Sequence, residues 1–152
     1  MPLDHEQGDI AVVQVGNMVK DWIYIDSGAV DTVCPKKFAE NSALRETEES
    51  KNGHYYLAAN CTQIPIYGRK TVKGMADDYS KVQVEMEVAD VKKPLMSVRR
   101  MTEAGNRVVF EPSGGYIEDV HTGEKLQMRE TGGMYMLKMW VQRLFHGQAE
   151  NS

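Results

Sequence analysis

The most informative stretch of this chain is Trp22-Ile23-Tyr24-Ile25-Asp26-Ser27-Gly28-Ala29. Residues 21–25 are rich in β-branched and aromatic side chains, which predicts a short strand. The strand stops at residues 26–28, where a carboxylate, a hydroxyl and a glycine follow one another. A buried strand thus delivers three chemically distinct groups to one turn, and this turn is the first candidate for chemistry.

Further short strands are predicted on both sides of this stretch. Extended or alternating apolar runs bounded by turn residues predict strands over residues 10–15, 32–34, 54–59, 64–75, 80–88, 107–110, 115–118, 125–128 and 133–140. In the run 80–88, apolar residues alternate with Gln83, Glu85 and Glu87. This period of two predicts one buried face and one solvent-exposed face.

Helical patterns are fewer. Leu95, Val98, Met101 and Ala104 have helical spacing and Gly105 follows them, which predicts a helix of about ten residues over 95–104. A proline at position 35 suits the first turn of one or two helical turns within residues 36–44. The polar residues 45–53 are predicted to form a loop. The fold class is therefore all-β with one or two short helices.

Length and composition fit a single soluble domain. The chain has 152 residues, of which 41% are apolar and 26% charged, so we predict one domain over residues 10–140. Residues 1–9 and 141–152 are predicted to be a flexible N-terminus and a flexible tail or linker. No apolar run approaches the roughly 20 residues of a membrane helix, and residues 1–9 lack the pattern of a secretory signal. We expect a cytoplasmic location, or a virus-like particle assembled there.

Charge and ligand spacing argue against several classes of partner. The net charge is −4 and the pI about 5.6, whereas proteins that bind phosphate backbones are usually basic, so we expect no direct nucleic-acid binding. We expect no metal and no cofactor, because the cysteines and histidines lack ligand spacing. We expect both thiols to be buried and unpaired. The residues concerned are Cys34, Cys61, His5, His54, His121 and His146.

The Asp26 turn has the residue types that peptide hydrolysis without a metal requires. Two carboxylates about 3 Å apart that share one proton supply both a general base and a general acid. Ser27 offers a hydroxyl to the backbone of an opposing loop, Gly28 leaves room for close approach, and Ala29 is small. The simpler alternative is an Asx-type turn after a strand, without catalysis.

The second carboxylate has to come from another molecule. Asp26 is the only aspartate followed by Ser or Thr and then Gly. A two-lobed single-chain protease needs two copies of the motif and about twice this length. A twofold axis beside Asp26 would bring it together with its symmetry mate, so we predict a homodimer.

A second block links the turn to a known family. Residues 88–110 run from Val88-Ala89-Asp90 through Pro94-Leu95-Met96-Ser97-Val98 to Val108-Val109-Phe110. Together with residues 22–29, this block resembles retropepsins, specifically the protease region of copia-type retrotransposon Pol polyproteins. The turns at 115–117 and 122–123 and the strand at 133–137 are also similar to that family. The resemblance covers roughly residues 20–140.

The resemblance implies a retropepsin-like closed β-barrel, the acid protease fold, as a homodimer with Asp26 at the dimer axis. It implies that Ser27 makes an inter-subunit hydrogen-bonded grip and that the helix around 98–104 packs behind the active loop. A β-hairpin flap is placed within residues 58–75, with Gly68 as a flexible point. The substrate would be the element's own polyprotein, bound in extended conformation.

Substrate-binding positions follow from the same resemblance, with departures. They are Ala29, Val30, Asp31 and Gly68. Viral relatives often have an acidic residue where Val30 stands, and here Asp31 comes one place later. Ser97 occupies a position where viral members usually have glycine.

The leading functional hypothesis is a homodimeric aspartic endopeptidase with catalytic Asp26, Ser27 and Gly28 that works best at mildly acidic pH. The glycine-poor flap and Val30 motivate an alternative, a catalytically silent retroelement-derived dimerisation or binding module. A ubiquitin-pathway or shuttle-type member of the same fold is a third. Arg99 is predicted to be exposed, or to pair with Asp31 or with the partner chain.

Overall fold

The structure, a computed structural model, describes Leu3 and residues 18–142. Eleven strands account for about half of this part of the chain. They are β1 (Met18–Asp26), β2 (Val33–Cys34), β3 (Tyr55–Leu57), β4 (Gln63–Met75), β5 (Lys81–Ala89), β6 (Leu95–Ser97), β7 (Asn106–Val109), β8 (Tyr116–Asp119), β9 (Lys125–Gln127), β10 (Arg129–Thr131) and β11 (Met134–Gln142). The predicted strand over residues 10–15 lies outside the described residues.

Two short helices interrupt the strands, α1 (Glu48–Lys51) and α2 (Val98–Glu103). Thr47 and Ser50 cap the start of α1 reciprocally, side chain to backbone, as in a capping box. Neither helix is long and apolar enough to span a membrane, and the same holds for every helix in the described part of the chain. The prediction of a mainly β fold with one or two short helices is confirmed.

The strands form one large mixed sheet and one small antiparallel sheet. The large sheet has the order β10-β11-β1-β6-β2-β5-β4-β3, and the small one the order β7-β8-β9. In the large sheet β1 runs parallel to β6, and β2 runs parallel to β5. β11 also pairs with β4 through Trp140–Met75 and Val141–Gly74. This extra pairing nearly closes the large sheet into a ring.

The core lies inside this nearly closed sheet. Alternate side chains of the long strands point inward, so Ile23, Val72, Met86 and Met139 are completely buried. Each such apolar side chain contributes about 1.5–3 kcal/mol relative to an exposed one. Met101 of α2 joins the same cluster. The core therefore fixes β1, and with it the turn that follows β1.

The predicted helix over 95–104 is wrong in its first turn. Leu95–Ser97 is strand β6, which pairs in parallel with Tyr24–Asp26 at the end of β1. The helix begins only at Val98, because the side chain of Ser97 accepts from the backbone N of Arg100 and caps it. Gly105 follows with φ +93, in agreement with its predicted role at the helix end.

Two other local predictions also fail. No helix forms over 36–44: Pro35 and Ala39 accept single-turn hydrogen bonds from Phe38 and Ser42, and Ala39 has φ +51, which ends helical geometry. The predicted loop over 45–53 contains α1. Strand β10 was also not predicted. It lies between the predicted strand over 125–128 and the turn at 131–133, so the sequence showed no separate run for it.

The prediction that the polar face of β5 is solvent-exposed is wrong. Gln83 and Glu87 are 5% and 8% exposed. Glu87 lies beneath Tyr56 of the β3–β4 hairpin, which donates to it. Leu3, from the segment predicted to be flexible, is buried and its backbone N donates to the carbonyl of Gln83 at 2.8 Å. Other segments of the chain thus cover the face of β5 that the alternating pattern predicted to be solvent-exposed.

The C-terminal boundary also shifts slightly. The last strand, β11, extends to Gln142 rather than stopping at residue 140. The remainder of the predicted tail, residues 143–152, lies outside the described residues, as does most of the predicted flexible N-terminus.

Candidate active site

Strand β1 positions Asp26. Its neighbours Ile23 and Ile25 are buried in the core, β11 pairs with it on one side, and β6 pairs with it on the other. Asp26 is the last residue of the strand and lies opposite Ser97 in the parallel register. A carboxylate on a strand flanked on both sides has little freedom, so its position is fixed by the body of the sheet.

The residues after Asp26 form a tight turn. The backbone N of Gly28 donates to Oδ1 of Asp26 at 2.8 Å, which is the hydrogen bond of an Asx-type turn. Asp26 is half-buried, whereas Ser27 and Gly28 are exposed. The turn geometry proposed as the simpler alternative is therefore present, and the turn presents its hydroxyl and its glycine to the outside.

Ser97 anchors the far end of this turn. Its hydroxyl donates to the carbonyl of Ala29 at 2.7 Å, and its backbone N donates to Oγ1 of Thr32 at 3.0 Å. The same hydroxyl accepts from the backbone N of Arg100 at 3.2 Å. Ser97 is completely buried. One side chain thus ties the Asp26 turn to the start of α2, and the helix lies behind the turn as the resemblance implied.

A cleft of about 440 Å³ opens beside Asp26 and Ser27. Its other walls are mostly aromatic or apolar, formed by Tyr24, Leu95, Phe110, Met134 and Tyr135. Phe110 and Met134 are 40% and 47% exposed. Apolar walls around a carboxylate suit the burial of an apolar side chain from a bound molecule.

The packing of the described residues does not require a glycine at position 28. A Cβ added there would meet only Oδ1 of Asp26, at 3.5 Å, which is an ordinary contact. Its φ is not in the left-handed region, unlike that of Gly115, where a Cβ would lie 1.9 Å from the carbonyl of Val109. Within the described residues, nothing explains why position 28 lacks a side chain.

Val30 and Asp31 lie on either side of the boundary between surface and interior. Val30 is 59% exposed, and Asp31 is 8% exposed. Asp31 accepts from the backbone N of Thr32 and forms ion pairs with Arg69 at 3.3 Å and with Arg100 at 3.4 Å. Of the two adjacent arginines of α2, Arg100 pairs with Asp31 and Arg99 does not. Arg99 is exposed and pairs with Glu103, in agreement with its predicted exposure.

Asp31 belongs to a partly buried polar cluster, in which Asp31 and Glu87 are buried and Tyr56 and Arg69 are half-buried. The hydroxyl of Tyr56 donates to Oε2 of Glu87 at 2.7 Å, and Nη1 of Arg69 donates to the same oxygen at 3.4 Å. Glu87 in turn shares a hydrogen bond with Asp31. Each carboxylate already has several partners, which favours a structural role for this pair.

The pKa values of Asp31 and Glu87 are shifted in opposite directions. Burial alone would raise the pKa of Asp31, but the hydrogen bond with Glu87 and the charges of Arg69 and Arg100 outweigh it and hold that pKa below its ordinary value. Burial, and then the hydrogen bond with Asp31, raise the pKa of Glu87. The opposite directions of the two pKa shifts mean that a proton shared by the pair resides preferentially on Glu87 rather than on Asp31.

The hydroxyl of Tyr56 keeps its proton and remains a hydrogen-bond donor. Burial and the hydrogen bond to Glu87 raise the pKa of its hydroxyl. A neutral hydroxyl can donate to Glu87 whether that carboxyl group is protonated or not.

The segment predicted to contain the flap, residues 58–75, comprises the turn of the β3–β4 hairpin and strand β4; its role as a flap stays a prediction. The hairpin turn is closed by two hydrogen bonds between Ala58 and Thr62 or Cys61. Gly68 lies further along β4, at a bulge with φ +148, where the carbonyl of Arg45 approaches to 2.1 Å of a Cβ position. This close backbone contact explains the glycine as a packing requirement. The predicted substrate contact of Gly68 stays a prediction.

The two thiols differ. Cys34 is completely buried, as predicted, and burial raises its pKa to about 11, so it stays a protonated, unreactive thiol. The prediction for Cys61 is wrong: it is exposed, in the hairpin turn. Within Leu3 and residues 18–142, no group of three His, Cys, Asp or Glu side chains has the arrangement to hold a metal ion.

Sequence reasoning missed most of the groups around the turn. Three separate strands contribute Tyr56, Arg69 and Glu87. The one sequence feature that pointed to this cluster was the position of Glu87 in the alternating run of β5. Ser97 was noticed as a departure from the family pattern, but not as an anchor. The cleft residues Phe110 and Met134 carried no signal, because they meet Asp26 only through tertiary structure.

Comparison with known proteins adds no relative. No protein-family model matches the chain, and neither the curated proteins nor the solved structures contain a significant match. The residues of the Asp26 turn and their geometry are therefore the basis for a functional proposal.

Proposed function

We propose that the chain is one subunit of an aspartic-type endopeptidase of the retroviral or retrotransposon kind. The observation that carries this proposal is Asp26 itself: a half-buried carboxylate at the end of a strand flanked on both sides, held by Gly28 and opening on an apolar cleft. In the proposed homodimer, the two copies of Asp26 share one proton. The ionised carboxylate activates a water, and the protonated one polarises the peptide carbonyl.

Two further observations support the homodimer. The motif occurs once, so one subunit supplies one carboxylate of this kind. Gly28 is exposed and its missing side chain has no explanation within the described subunit. Close approach of a partner's turn, or of a substrate backbone, provides that explanation. Exposed Ser27 is suited to the inter-subunit hydrogen bond that the resemblance implies.

The proposal includes the retropepsin-like closed barrel as the finer description of the fold. Support comes from the β11–β4 pairing, which nearly completes the ring, and from Ser97 at the end of β6, whose hydroxyl links the Asp26 turn to the start of α2. The proposed substrate is an extended segment of the element's own polyprotein, and the proposed location is the cytoplasm or a virus-like particle.

The alternative, a catalytically silent binding or dimerisation module, is favoured by one observation. Oδ1 of Asp26 is satisfied by the backbone of its own turn, and an Asx turn needs no catalytic function. The two hypotheses differ in peptide cleavage, not in dimerisation.

The test is a peptide-cleavage assay on Asp26→Asn at mildly acidic and neutral pH, with sedimentation of the same samples. Unstructured protein and a peptide library serve as substrates, with and without a pepstatin-type inhibitor. Asp90→Asn is the matched control, since Asp90 is exposed and on a loop. We expect cleavage by wild type and Asp90→Asn that is lost in Asp26→Asn. Cleavage that persists in Asp26→Asn contradicts the proposal, and a stable dimer that cleaves nothing supports the silent module.

A further inference from the structure

The β3–β4 hairpin is a surface element with one specific side-chain connection from β3 to the body of the protein. β3 is at the end of the strand order, and two of its three side chains, Tyr55 and Leu57, are 46% and 65% exposed. The third, Tyr56, turns inward and donates to Glu87 at 2.7 Å. Strand β3 therefore has little apolar burial of its own to hold it in place, and its attachment depends on pairing with β4 and on this hydrogen bond.

Glu87 connects that bond to the Asp26 turn. The backbone N of Glu87 donates to the carbonyl of Thr32 at 2.8 Å, and its carboxyl group shares a hydrogen bond with Asp31. Asp31 lies within five residues of Asp26, on the same turn-and-loop segment. Side-chain hydrogen bonds therefore connect Tyr56 through Glu87 to Asp31, and the polypeptide itself connects Asp31 to the Asp26 turn.

The hairpin and the segment after Asp26 face each other across a groove of about 610 Å³. Val30 and Asp31 line one side, and Tyr56 and Ile66 line the hairpin side. Glu87 lies between them. The distance between hairpin and turn, and with it the width of the groove, depends on the bonds that cross its floor.

We propose that Tyr56, through Glu87 and Asp31, is a positioning residue that holds the β3–β4 hairpin at a fixed distance from the Asp26 turn. This inference rests on the proposed endopeptidase activity for its kinetic part, because a hairpin at the wrong distance binds an extended peptide less well. The reacting atoms are not touched by Tyr56. Its loss should therefore raise KM and leave kcat nearly unchanged.

The variant Tyr56→Phe removes one hydroxyl and keeps the ring. Hydrogen exchange of the hairpin amides, residues 55–66, measures the position of the hairpin without any substrate. We expect these amides to exchange about tenfold faster in Tyr56→Phe, as for the loss of one hydrogen bond to an acidic group. Tyr79→Phe is the matched control, since Tyr79 is 70% exposed in the β4–β5 turn, and its exchange should equal wild type.

Two changes at Glu87 test the path itself. Glu87→Gln keeps an oxygen that accepts from Tyr56 and gains an N–H that donates to Asp31, so we expect hairpin protection close to wild type. Glu87→Leu removes both bonds, and we expect fast hairpin exchange. Urea unfolding of each variant separates local opening of the hairpin from global destabilisation.

Kinetic assays of the same variants complete the test. In an active protein we expect KM to rise about tenfold in Tyr56→Phe with kcat within about twofold. Unchanged hairpin exchange in Tyr56→Phe overturns the positioning role, as does a fall in kcat at constant KM. An inactive wild type whose hairpin nevertheless loosens in Tyr56→Phe overturns the endopeptidase proposal and leaves the positioning role supported.

Discussion

Gly28→Ala tests separately the folding stability of the single chain and the dimerisation and cleavage that we propose. The added Cβ would lie 3.5 Å from Oδ1 of Asp26, an ordinary contact, and the backbone at position 28 is not left-handed. Alanine also restricts the unfolded chain, which stabilises a compatible site by about 0.4–1 kcal/mol. We therefore expect the free energy of unfolding of the subunit to change by less than about 1 kcal/mol.

The same substitution should impair the proposed dimerisation or the proposed peptide cleavage. If the partner's turn or a substrate backbone approaches Gly28 closely, a methyl group there prevents the approach. Sedimentation and the cleavage assay should then show weaker dimerisation or loss of activity, while urea unfolding of the subunit stays near wild type. Gly115→Ala is the contrasting control, because its Cβ would clash with the carbonyl of Val109 and destabilise the subunit itself. A Gly28→Ala protein with normal dimers and normal cleavage would refute this reasoning.

Two further predictions concern stability. Ser97→Ala removes a helix cap and the hydrogen bond to Ala29, so the free energy of unfolding should fall by about 2 kcal/mol; Ser113→Ala, at an exposed site, should change it by less than about 0.5 kcal/mol. The second prediction is a pH dependence. The lowered pKa of Asp31 adds stability above the ordinary pKa of an aspartate, and this is lost as pH falls through the lowered value. The raised pKa of Glu87 adds stability below the ordinary pKa of a glutamate, and this is lost as pH rises through the raised value. Urea unfolding should therefore show less decline from mildly acidic to neutral pH in Glu87→Gln than in wild type, and equal declines would contradict the assignment.

Local patterns in the sequence were sufficient for two of the long strands. β4 and β5 were predicted within one residue of their observed bounds, because apolar alternation and turn residues depend only on near neighbours. The prediction for β1, residues 21–25, covers only part of the observed strand Met18–Asp26. The Asp26 turn was predicted for the same reason, since strand, carboxylate and glycine are consecutive. The β3–β4 hairpin also followed from two adjacent runs and the polar turn between them.

The failures share a physical cause, which is pairing between residues distant in sequence. Leu95–Ser97 has helical spacing, but the end of β1 offers it parallel hydrogen bonds and makes it a strand. Glu87 is placed by alternation on a solvent-exposed face, but Tyr56, Arg69 and Asp31 arrive from three other segments and cover it. No window of neighbouring residues contains this information.

The central claim is that two copies of Asp26 form one active site, and subunit mixing tests it most directly. Wild type and Asp26→Asn are combined at equal concentration and constant total protein, allowed to exchange subunits, and assayed for cleavage. If each site needs both carboxylates, random pairing leaves about one quarter of the activity of wild type at the same total concentration. If each subunit acts with its own carboxylate alone, about one half remains. Activity near one quarter is the result that we expect, and activity near one half would contradict the shared site.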